Sequence, residues 1–306
     1  MQHEFYWNPP APTDLPGMLK RMRSAGQDVL YRLGENGLQK ALSWDGRPVL
    51  LTVQEEGTVT KPCWHIEVAG PELPPDWQER AIAYLSHVFC LNFDLPAFYQ
   101  FCRQHLPLAA LVERFYGQRM ILEPTLYEAA ISSIIAQQLN LSFCAQLKRN
   151  LLVRCNCQWH WEGVDWLLFP EPQQLVRLTA EDLRLLKFSR SKAEYVLGVA
   201  QATATGQLNW SKVETMPEQE AMSYLISWRG IGRWTAECIL LFGQGRSDLL
   251  PAADIGLRNA VGQLWGLGRQ ATEAEVREIG EGWRPYRSWV THYLWLSLTE
   301  NSGKDL

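Results

Sequence analysis

Long apolar segments are missing from this 306-residue sequence, since no run approaches the roughly 18–20 residues of a membrane-spanning helix. The first ten residues, MQHEFYWNPP, also lack the layout of a signal peptide. Neither sign of charge dominates, because 29 basic and 33 acidic side chains give a formal net charge of -4. We therefore expect a soluble cytoplasmic protein, and we exclude a highly basic, histone-like one.

Closely spaced cysteine pairs are equally scarce. The seven cysteines are scattered, and only Cys155 and Cys157 lie close together, as C-x-C rather than the C-x-x-C of common metal sites. The six histidines show no ligand spacing either. We therefore expect free thiols and no transition metal. The composition is otherwise globular, 46% hydrophobic and 20% charged, and the length predicts about two domains.

The N-terminal part shows the alternation typical of an antiparallel sheet with one buried face. Apolar residues fill every second position in three runs: Val29, Tyr31 and Leu33; Val49, Leu51 and Val53; Trp64, Ile66 and Val68. Asn36-Gly37 and Asp45-Gly46 are typical of tight hairpin turns, because these residues tolerate positive φ. Leu19 and Met22 predict an early helix that packs on this sheet.

After a break at residues 71–75 (PELPP), the pattern is helical to the end of the chain. Four Ser/Thr-x-x-Asp/Glu sequences predict helix starts with capping boxes, at Thr179, Ser191, Thr215 and Thr272. We predict an α+β, mostly α protein. Its parts are an N-terminal α+β domain at 1–75, linking helices at 76–116 that pack on the C-terminal helical domain, a central helical domain at 117–245 and a C-terminal helical domain at 246–306.

The most informative stretch predicts two helices joined by Gly230-Ile231-Gly232, at about residues 217–243. Two glycines around one apolar residue permit a very tight turn, because glycine accepts left-handed dihedral angles. Free amides at the start of the second helix can bind a phosphate without net positive charge. Arg229 and Arg233 flank the turn. A chain of net charge -4 could therefore still bind a nucleic-acid backbone.

A second candidate lies about twenty residues further on, where the apolar loop from Leu249 to Ala253 leads to Asp254. Considered alone, this aspartate is best interpreted as the N-cap of another helix, the commonest role for such a residue. Considered together with the Gly-Ile-Gly turn at this spacing, Asp254 is a candidate catalytic carboxylate.

Together these features resemble the helix-hairpin-helix DNA glycosylase superfamily, whose mark is a G-x-G hairpin followed by a Pro-containing loop and an aspartate. The resemblance is best for the alkylbase branch, the DNA-3-methyladenine glycosylase II family. Three further segments carry it: HVFCLNFDL at 87–95, EAAISSIIAQQLNL at 128–141 and WRPYRSWVTHYLW at 283–295. It implies a TATA-binding-protein-like sheet domain followed by a two-part helical bundle with a helix-hairpin-helix motif.

The resemblance also implies a set of site residues that act on duplex DNA. Asp254 would be catalytic, and Trp234, Trp295 and Cys238 would line the pocket for an extruded base. The DNA-contacting residues would be those of a probing loop, Gln137, Gln138, Leu139 and Asn140, and those of the hairpin, Arg229, Gly230, Ile231, Gly232 and Arg233. Trp289 is better interpreted as core. Which of Gln138 and Leu139 enters the base stack stays open.

The activity implied is that of a monofunctional, monomeric base-excision glycosylase for alkylated purines such as 3-methyladenine and 7-methylguanine. A lyase would need an amine where Trp234 stands, and an iron–sulfur relative would need four cysteines beyond the aspartate, which this chain lacks. The backbone carbonyls of Ile226, Trp228 and Gly230 would bind a structural Na⁺ or K⁺. In a bacterium the protein would associate with the nucleoid.

Two other functions stay open at this point. One is an oxidised-purine glycosylase of the 8-oxoguanine type on the same scaffold, although a neutral base needs more specific hydrogen bonding. The other is a helix-hairpin-helix protein that binds DNA without catalysis. Asp254 and the aromatic-rich helical part of the chain favour the enzyme over the binding module.

Overall fold

The computed structural model describes residues 1–24 and 29–301, the last three by their backbone alone. The strands are β1 (Gln2–Trp7), β2 (Arg32–Leu33), β3 (Gly37–Trp44), β4 (Arg47–Glu55), β5 (Trp64–Ala69), β6 (Gln158–Trp161) and β7 (Val164–Leu167). The helices are α1 (Leu15–Ser24), α2 (Trp77–Val88), α3 (Leu95–Arg103), α4 (Leu108–Arg114), α5 (Leu126–Ala136), α6 (Leu141–Arg154), α7 (Pro172–Leu175), α8 (Ala180–Leu185), α9 (Arg190–Ala204), α10 (Trp210–Thr215), α11 (Glu218–Ile226), α12 (Arg233–Gln244), α13 (Ile255–Leu264), α14 (Glu273–Glu281) and α15 (Arg287–Asn301).

Strands β1 to β5 form one antiparallel sheet in the order β1-β5-β4-β3-β2. The alternation predicted for β4 and β5 is confirmed, because their inward side chains are fully buried: Val49, Leu51, Val53, Trp64, Ile66 and Val68. Asp45 and Gly46 join β3 to β4 with φ of 52° and 77°, as a tight hairpin requires. Leu19 and Met22 of α1 share the buried core of this sheet. The predicted α+β, mostly α class is confirmed.

Helix α2 packs on the sheet rather than on the helical part of the chain. Its buried residues Ala81, Leu85 and Val88 belong to the same core as the inward residues of β4 and β5. From Leu95 of α3 onward, most buried side chains belong to a second, larger core made of helices. The N-terminal core therefore extends past residue 75, as far as Leu91.

Arg119 joins the two cores. Its side chain is 1% exposed and donates hydrogen bonds to the Thr13 hydroxyl and to the backbone oxygens of Pro12, Cys90 and Phe93. A buried guanidinium is costly unless its donors are paired. This set of neutral acceptors therefore fixes the N-terminal segment against the junction between α2 and α3.

A second, two-stranded sheet interrupts the helices, so the prediction that the chain is helical after residue 75 is wrong. Strands β6 and β7 pair antiparallel across a turn at Glu162 and Gly163, both at positive φ. Trp166 of β7 is 5% exposed and packs with Ala41 and Leu50 of the main sheet. The hairpin is therefore stabilised by residues that lie far away in the sequence.

Two of the four predicted capping boxes are confirmed, at Thr179 and Thr272. The other two predictions are wrong. The N-cap of α9 is Ser189 rather than Ser191, because the serine two positions earlier takes the capping position. Thr215 is the last residue of α10, and α11 begins after Pro217 instead.

The helices that carry the candidate site meet in the larger core. Helix α5 packs along α12, and α13 packs against α15. Within the part of the chain that the structure describes, no helix has the length and apolar character that crossing a membrane requires.

Candidate active site

The turn between α11 and α12 contains two differently constrained glycines. Gly230 has a φ of +92°, and a β-carbon there would lie 2.3 Å from the ring of Tyr195. Ile231 is 3% exposed and anchors the turn in the helical core. Gly232 has a φ of -83° and is the N-cap of α12, where a β-carbon would meet open space. The backbone therefore requires glycine at position 230, whereas Gly232 keeps the start of α12 uncovered.

The start of α12 presents amides to solvent with little local net charge. Gly232 supplies no side-chain cap, and the first amides of a helix have no intrahelical acceptor. The arginines on either side are already paired, Arg229 with Glu194 at 2.7 Å and Arg233 with Glu237 at 3.1 Å. Oriented amides rather than excess positive charge are therefore what this turn offers to an anion.

Asp254 is at once an N-cap and a candidate catalytic group. It is half-buried at the start of α13, and its Oδ1 accepts hydrogen bonds from the Leu257 amide at 2.7 Å and the Trp295 indole at 2.9 Å. Its Oδ2 accepts no hydrogen bond from the residues that the structure describes. The carboxylate is therefore fixed through one oxygen and free to act through the other.

The loop that leads to Asp254 is anchored by the start of α15. Arg287 Nε donates to Asp248 Oδ1 at 2.8 Å. The buried Ser288 hydroxyl accepts the Leu249 amide at 2.9 Å and donates to the Leu249 carbonyl at 3.2 Å. Sequence reasoning used this segment only for family resemblance. Arg287 and Ser288, shortly after Pro285, were the polar residues of this segment that could have indicated a role in anchoring the loop.

One face of α12 carries the aromatic wall next to Asp254. Trp234, Cys238 and Phe242 recur every fourth residue, which aligns them on one side of the helix. Phe242 stacks on Trp295 with ring centroids 5.8 Å apart and planes 16° apart. Burial raises the pKa of the Cys238 thiol well above its usual value, and the nearby Asp254 carboxylate raises it further. Phe242 was missed, although its spacing from Cys238 was visible in the sequence.

The predicted distinction between pocket and core tryptophans follows their burial. Trp234 and Trp295 are half-buried. Trp289 is fully buried and stacks on Phe93 with ring centroids 3.8 Å apart. Trp289 is therefore core, as expected. Trp295, which contacts Asp254, and Trp234, on α12, each keep some exposed surface.

Glu237 is a buried carboxylate that sequence reasoning missed. It is 3% exposed, its Oε1 accepts from Arg233 Nε, and its Oε2 has no hydrogen-bond partner among the described residues. Burial raises the pKa of Glu237 to about 7. Beyond Arg233, the charges that act on it, Arg277 and Glu273, lie on α14. Glu237 is therefore paired with Arg233 and lies near the charges of α14.

The four probing-loop residues have separate roles. Gln137 donates from Nε2 to the Gly230 carbonyl at 2.9 Å, which brings the loop against the hairpin. Gln138 is exposed and has a φ of +56°. Leu139 packs against the helical core, and the Asn140 side chain caps α6. Gln138 is therefore the side chain of this loop that is placed to project outward.

The three carbonyls predicted to bind a cation are not equally available. The Gly230 oxygen accepts from Gln137, and the Trp228 oxygen accepts from the Ile231 amide at 3.1 Å. Ile226 lies in the last turn of α11, where carbonyls lack intrahelical donors. Because a carbonyl oxygen has two lone pairs, Trp228 and Gly230 each keep one for a hard monovalent cation, and Ile226 has the most capacity of the three.

A histidine–carboxylate group lies on the main sheet, across two strands. Glu4, His65 and Glu67 bring possible ligand atoms within 4.8 Å of one another, and His65 Nε2 lies 3.0 Å from Glu4 Oε2. Sequence spacing missed this group because β1 and β5 bring the residues together only in the folded sheet.

Comparison with known proteins identifies the family. Residues 131–285 match the family model described as HhH-GPD superfamily base excision DNA repair protein. The chain belongs to the HhH-GPD superfamily. The matched residues include the probing loop, the hairpin and Asp254, which are the features whose geometry is described above.

Similar proteins agree with this family. The DNA-3-methyladenine glycosylase of Bacillus subtilis (strain 168) is 33% identical over 221 residues, which cover 72% of this chain and 73% of that protein. The solved 3-methyladenine DNA glycosylase from Archaeoglobus fulgidus has a TM-score of 0.82 at 27% identity, covering 95% of this chain and 97% of that one. An 8-oxoguanine glycosylase/lyase from Clostridium acetobutylicum has a TM-score of 0.76 at 18% identity, covering 96% and 98%, and shows the fold alone. The resemblance to the helix-hairpin-helix glycosylases and their 3-methyladenine branch is confirmed.

Proposed function

We propose that this chain is a monofunctional DNA glycosylase that acts as a monomer on duplex DNA. It hydrolyses the N-glycosidic bond of alkylated purines of the 3-methyladenine and 7-methylguanine type. The observation that carries the proposal is Asp254, which is fixed through Oδ1 beside an aromatic wall on the second helix of the hairpin, while its Oδ2 accepts no hydrogen bond from the described residues. The named activity of the Bacillus subtilis and Archaeoglobus fulgidus relatives supports the choice of alkylated bases.

Base extrusion comes first, because a base inside a duplex hides its C1′ atom and must leave the stack at a cost of a few kcal/mol. The amides at the start of α12 bind the DNA backbone. The probing loop, with Gln138 at its tip, fills the space that the extruded nucleotide leaves. Both elements lie next to each other, since Gln137 contacts Gly230.

Bond cleavage then depends on charge. Asp254 stabilises the positive charge that develops on the sugar as the bond breaks, and it orients a water molecule toward C1′. An N3- or N7-methylated purine is already cationic and leaves without a general acid. Trp234 and Trp295 offer electron-rich ring faces to such a cation. One carboxylate in the pocket suffices, and the other buried carboxylate of α12, Glu237, is paired with Arg233.

Neither a lyase step nor a catalytic metal is part of the proposal. A lyase needs an amine that attacks C1′ and forms a Schiff base, and an indole cannot do this. By resemblance, Trp234 stands where such a lyase has its lysine. A Na⁺ or K⁺ ion at the carbonyls of Ile226, Trp228 and Gly230 would strengthen the contact with a DNA phosphate. We expect no iron–sulfur cluster.

The experiment that tests this function measures single-turnover excision of 7-methylguanine from duplex DNA, read by alkaline cleavage of the abasic product. We expect Asp254→Asn to lower the rate about 100-fold or more, because the charge is lost. Its fold should persist, since asparagine is also a good N-cap. Asp94→Asn is the matched control, because Asp94 caps α3 in the same way. An undiminished rate in Asp254→Asn would refute the catalytic role.

The same assay separates the other functions. Excision of 8-oxoguanine but not of 7-methylguanine would indicate the oxidised-purine enzyme, and binding without any excision would indicate a non-catalytic module. Borohydride trapping of a protein–DNA adduct would contradict the absence of a lyase step. Loss of excision in EDTA would contradict a role for monovalent cations alone.

A further inference from the structure

The probing loop and the hairpin rest on the same short stretch of α9. Lys192 is 8% exposed, and its Nζ donates to the carbonyl oxygens of Ile135 at 2.7 Å and Gln137 at 2.6 Å. These carbonyls lie at the C-terminal end of α5, where helix carbonyls lack intrahelical donors and the helix dipole is negative. A buried ammonium at this point fixes where α5 ends and the probing loop begins.

The next residues of α9 support the hairpin. The ring of Tyr195 lies directly against Gly230, in the space that a β-carbon would need. Glu194 pairs with Arg229 at 2.7 Å. Lys192, Glu194 and Tyr195 all lie within one turn of α9. One rigid helix thus sets the positions of both DNA-facing loops.

Gln137 connects the two loops from the other side. Its Nε2 donates to the Gly230 carbonyl at 2.9 Å and to Thr235 Oγ1 at 3.0 Å, on both sides of the turn. Gln138 follows with a φ of +56° and an exposed side chain, and Leu139 returns to the helical core. The backbone is therefore fixed before and after Gln138. Gln138 is then the side chain that would enter the base stack, and we refer to it as the wedge.

We propose that Lys192 is a positioning residue for base extrusion. Through the carbonyls of Ile135 and Gln137, it sets the distance between the wedge and the hairpin that binds the DNA backbone. The inference rests on the proposed function, because it concerns the step before bond cleavage. The Lys192 ammonium donates to carbonyls where α5 ends and the probing loop begins, so it acts on extrusion rather than on the chemistry at Asp254.

The test places one lesion in two contexts. Lys192→Met keeps an unbranched side chain and removes the ammonium. Single-turnover excision of 7-methylguanine is measured opposite cytosine and opposite a mismatched thymine, where extrusion costs less. We expect the rate opposite cytosine to fall about tenfold or more, since small misplacements of positioning groups have effects of this size. The loss opposite thymine should be clearly smaller.

Two further variants sharpen this comparison. Lys192→Arg keeps the charge and the donors and should restore most of the rate opposite cytosine. Lys212→Met, at an exposed lysine of α10, is the matched control and should change neither rate. Equal losses in both contexts, or no loss in either, would overturn the proposal. If Lys192→Met does not fold, Gln137→Leu is judged by the same criterion, because it removes the other connection between the loops.

A second readout separates this inference from the proposed function. A 2-aminopurine next to a synthetic abasic site gains fluorescence when an inserted side chain disturbs the stack. Wild-type protein should increase this fluorescence. The Lys192→Met variant, at a concentration that saturates the DNA, should increase it much less. A wild-type protein that increases the signal but excises no base would refute the proposed function and leave the positioning role intact. Equal signals from both proteins would refute the positioning role.

Discussion

At the scale of single residues, Gly230 and Gly232 meet different physical demands although they flank the same isoleucine. Gly230 has a left-handed φ of +92°, and the Tyr195 ring occupies the space beside it. Gly232 has a φ of -83° that any residue adopts, and open space lies where its β-carbon would be. The dihedral argument made from the sequence for both glycines thus applies to Gly230, whereas Gly232 matters for access to the α12 amides.

Alanine substitutions should separate these two demands. Gly230→Ala should lower the melting temperature, because a left-handed alanine costs about 1–2 kcal/mol before the contact with Tyr195 is counted. Gly232→Ala should leave the melting temperature nearly unchanged. Both variants should bind undamaged and damaged duplexes more weakly, as measured by fluorescence anisotropy. Equal thermal stability of the two variants, or a change in lesion preference alone, would show that this distinction is wrong.

The site residues were predictable to different degrees. Asp254 could be interpreted either as an N-cap or as a catalytic carboxylate, and its Oδ1 does cap α13, while Oδ2 accepts no hydrogen bond from the residues that the structure describes. Phe242 could have been predicted, because it lies four residues after Cys238 and so shares its helix face. Glu237 and Lys192 could not be predicted from the sequence. Their environments depend on α14 and on the end of α5, and no pattern in the surrounding sequence indicates such packing.

At the scale of elements, the loop before Asp254 is fixed from α15 rather than from within itself. Ser288 is fully buried and makes two hydrogen bonds to the backbone of Leu249. Ser288→Ala would leave the Leu249 amide without this partner, at a cost of about 1–3 kcal/mol. We expect a lower excision rate with unchanged binding to undamaged duplex, because the hairpin is not touched.

The control for this prediction is Ser223→Ala, at an exposed serine of α11 whose hydroxyl donates only to its own helix. Its excision rate and its melting temperature should match those of the wild-type protein. A Ser288→Ala variant that loses stability but keeps the full excision rate would show that the loop does not depend on α15 for its position.

Elements were predictable where local chemistry decides them. The alternation in β4 and β5, the Asp45-Gly46 turn and the capping boxes at Thr179 and Thr272 were all visible in the sequence. The β6–β7 hairpin was not, because its strands are four residues long and Trp166 is buried by another part of the fold. The capping pattern also failed at Ser191, where Ser189 competes for the same role.

At the scale of the whole molecule, charge is nearly balanced both overall and at the hairpin. The formal net charge is -4, and the two arginines beside the turn are each paired with a carboxylate. Glu194 also contacts Arg190, so it lies between two arginines. A DNA phosphate would have to compete with these carboxylates for each arginine, whereas the amides of α12 have no intrahelical acceptor.

This balance predicts a weak dependence of DNA binding on salt. Each phosphate neutralised by a cationic side chain contributes about -0.9 to the slope of log affinity against log salt. Amide contacts release fewer counterions, so we expect a slope of magnitude about 3 to 5 on undamaged duplex, from titrations at several salt concentrations. Arg229→Gln should reduce that magnitude by less than 1, because Arg229 is already paired with Glu194. Arg103→Gln, on α3, should leave it unchanged. A slope of magnitude about 8 or more would mean that a basic surface, rather than the hairpin amides, binds the backbone.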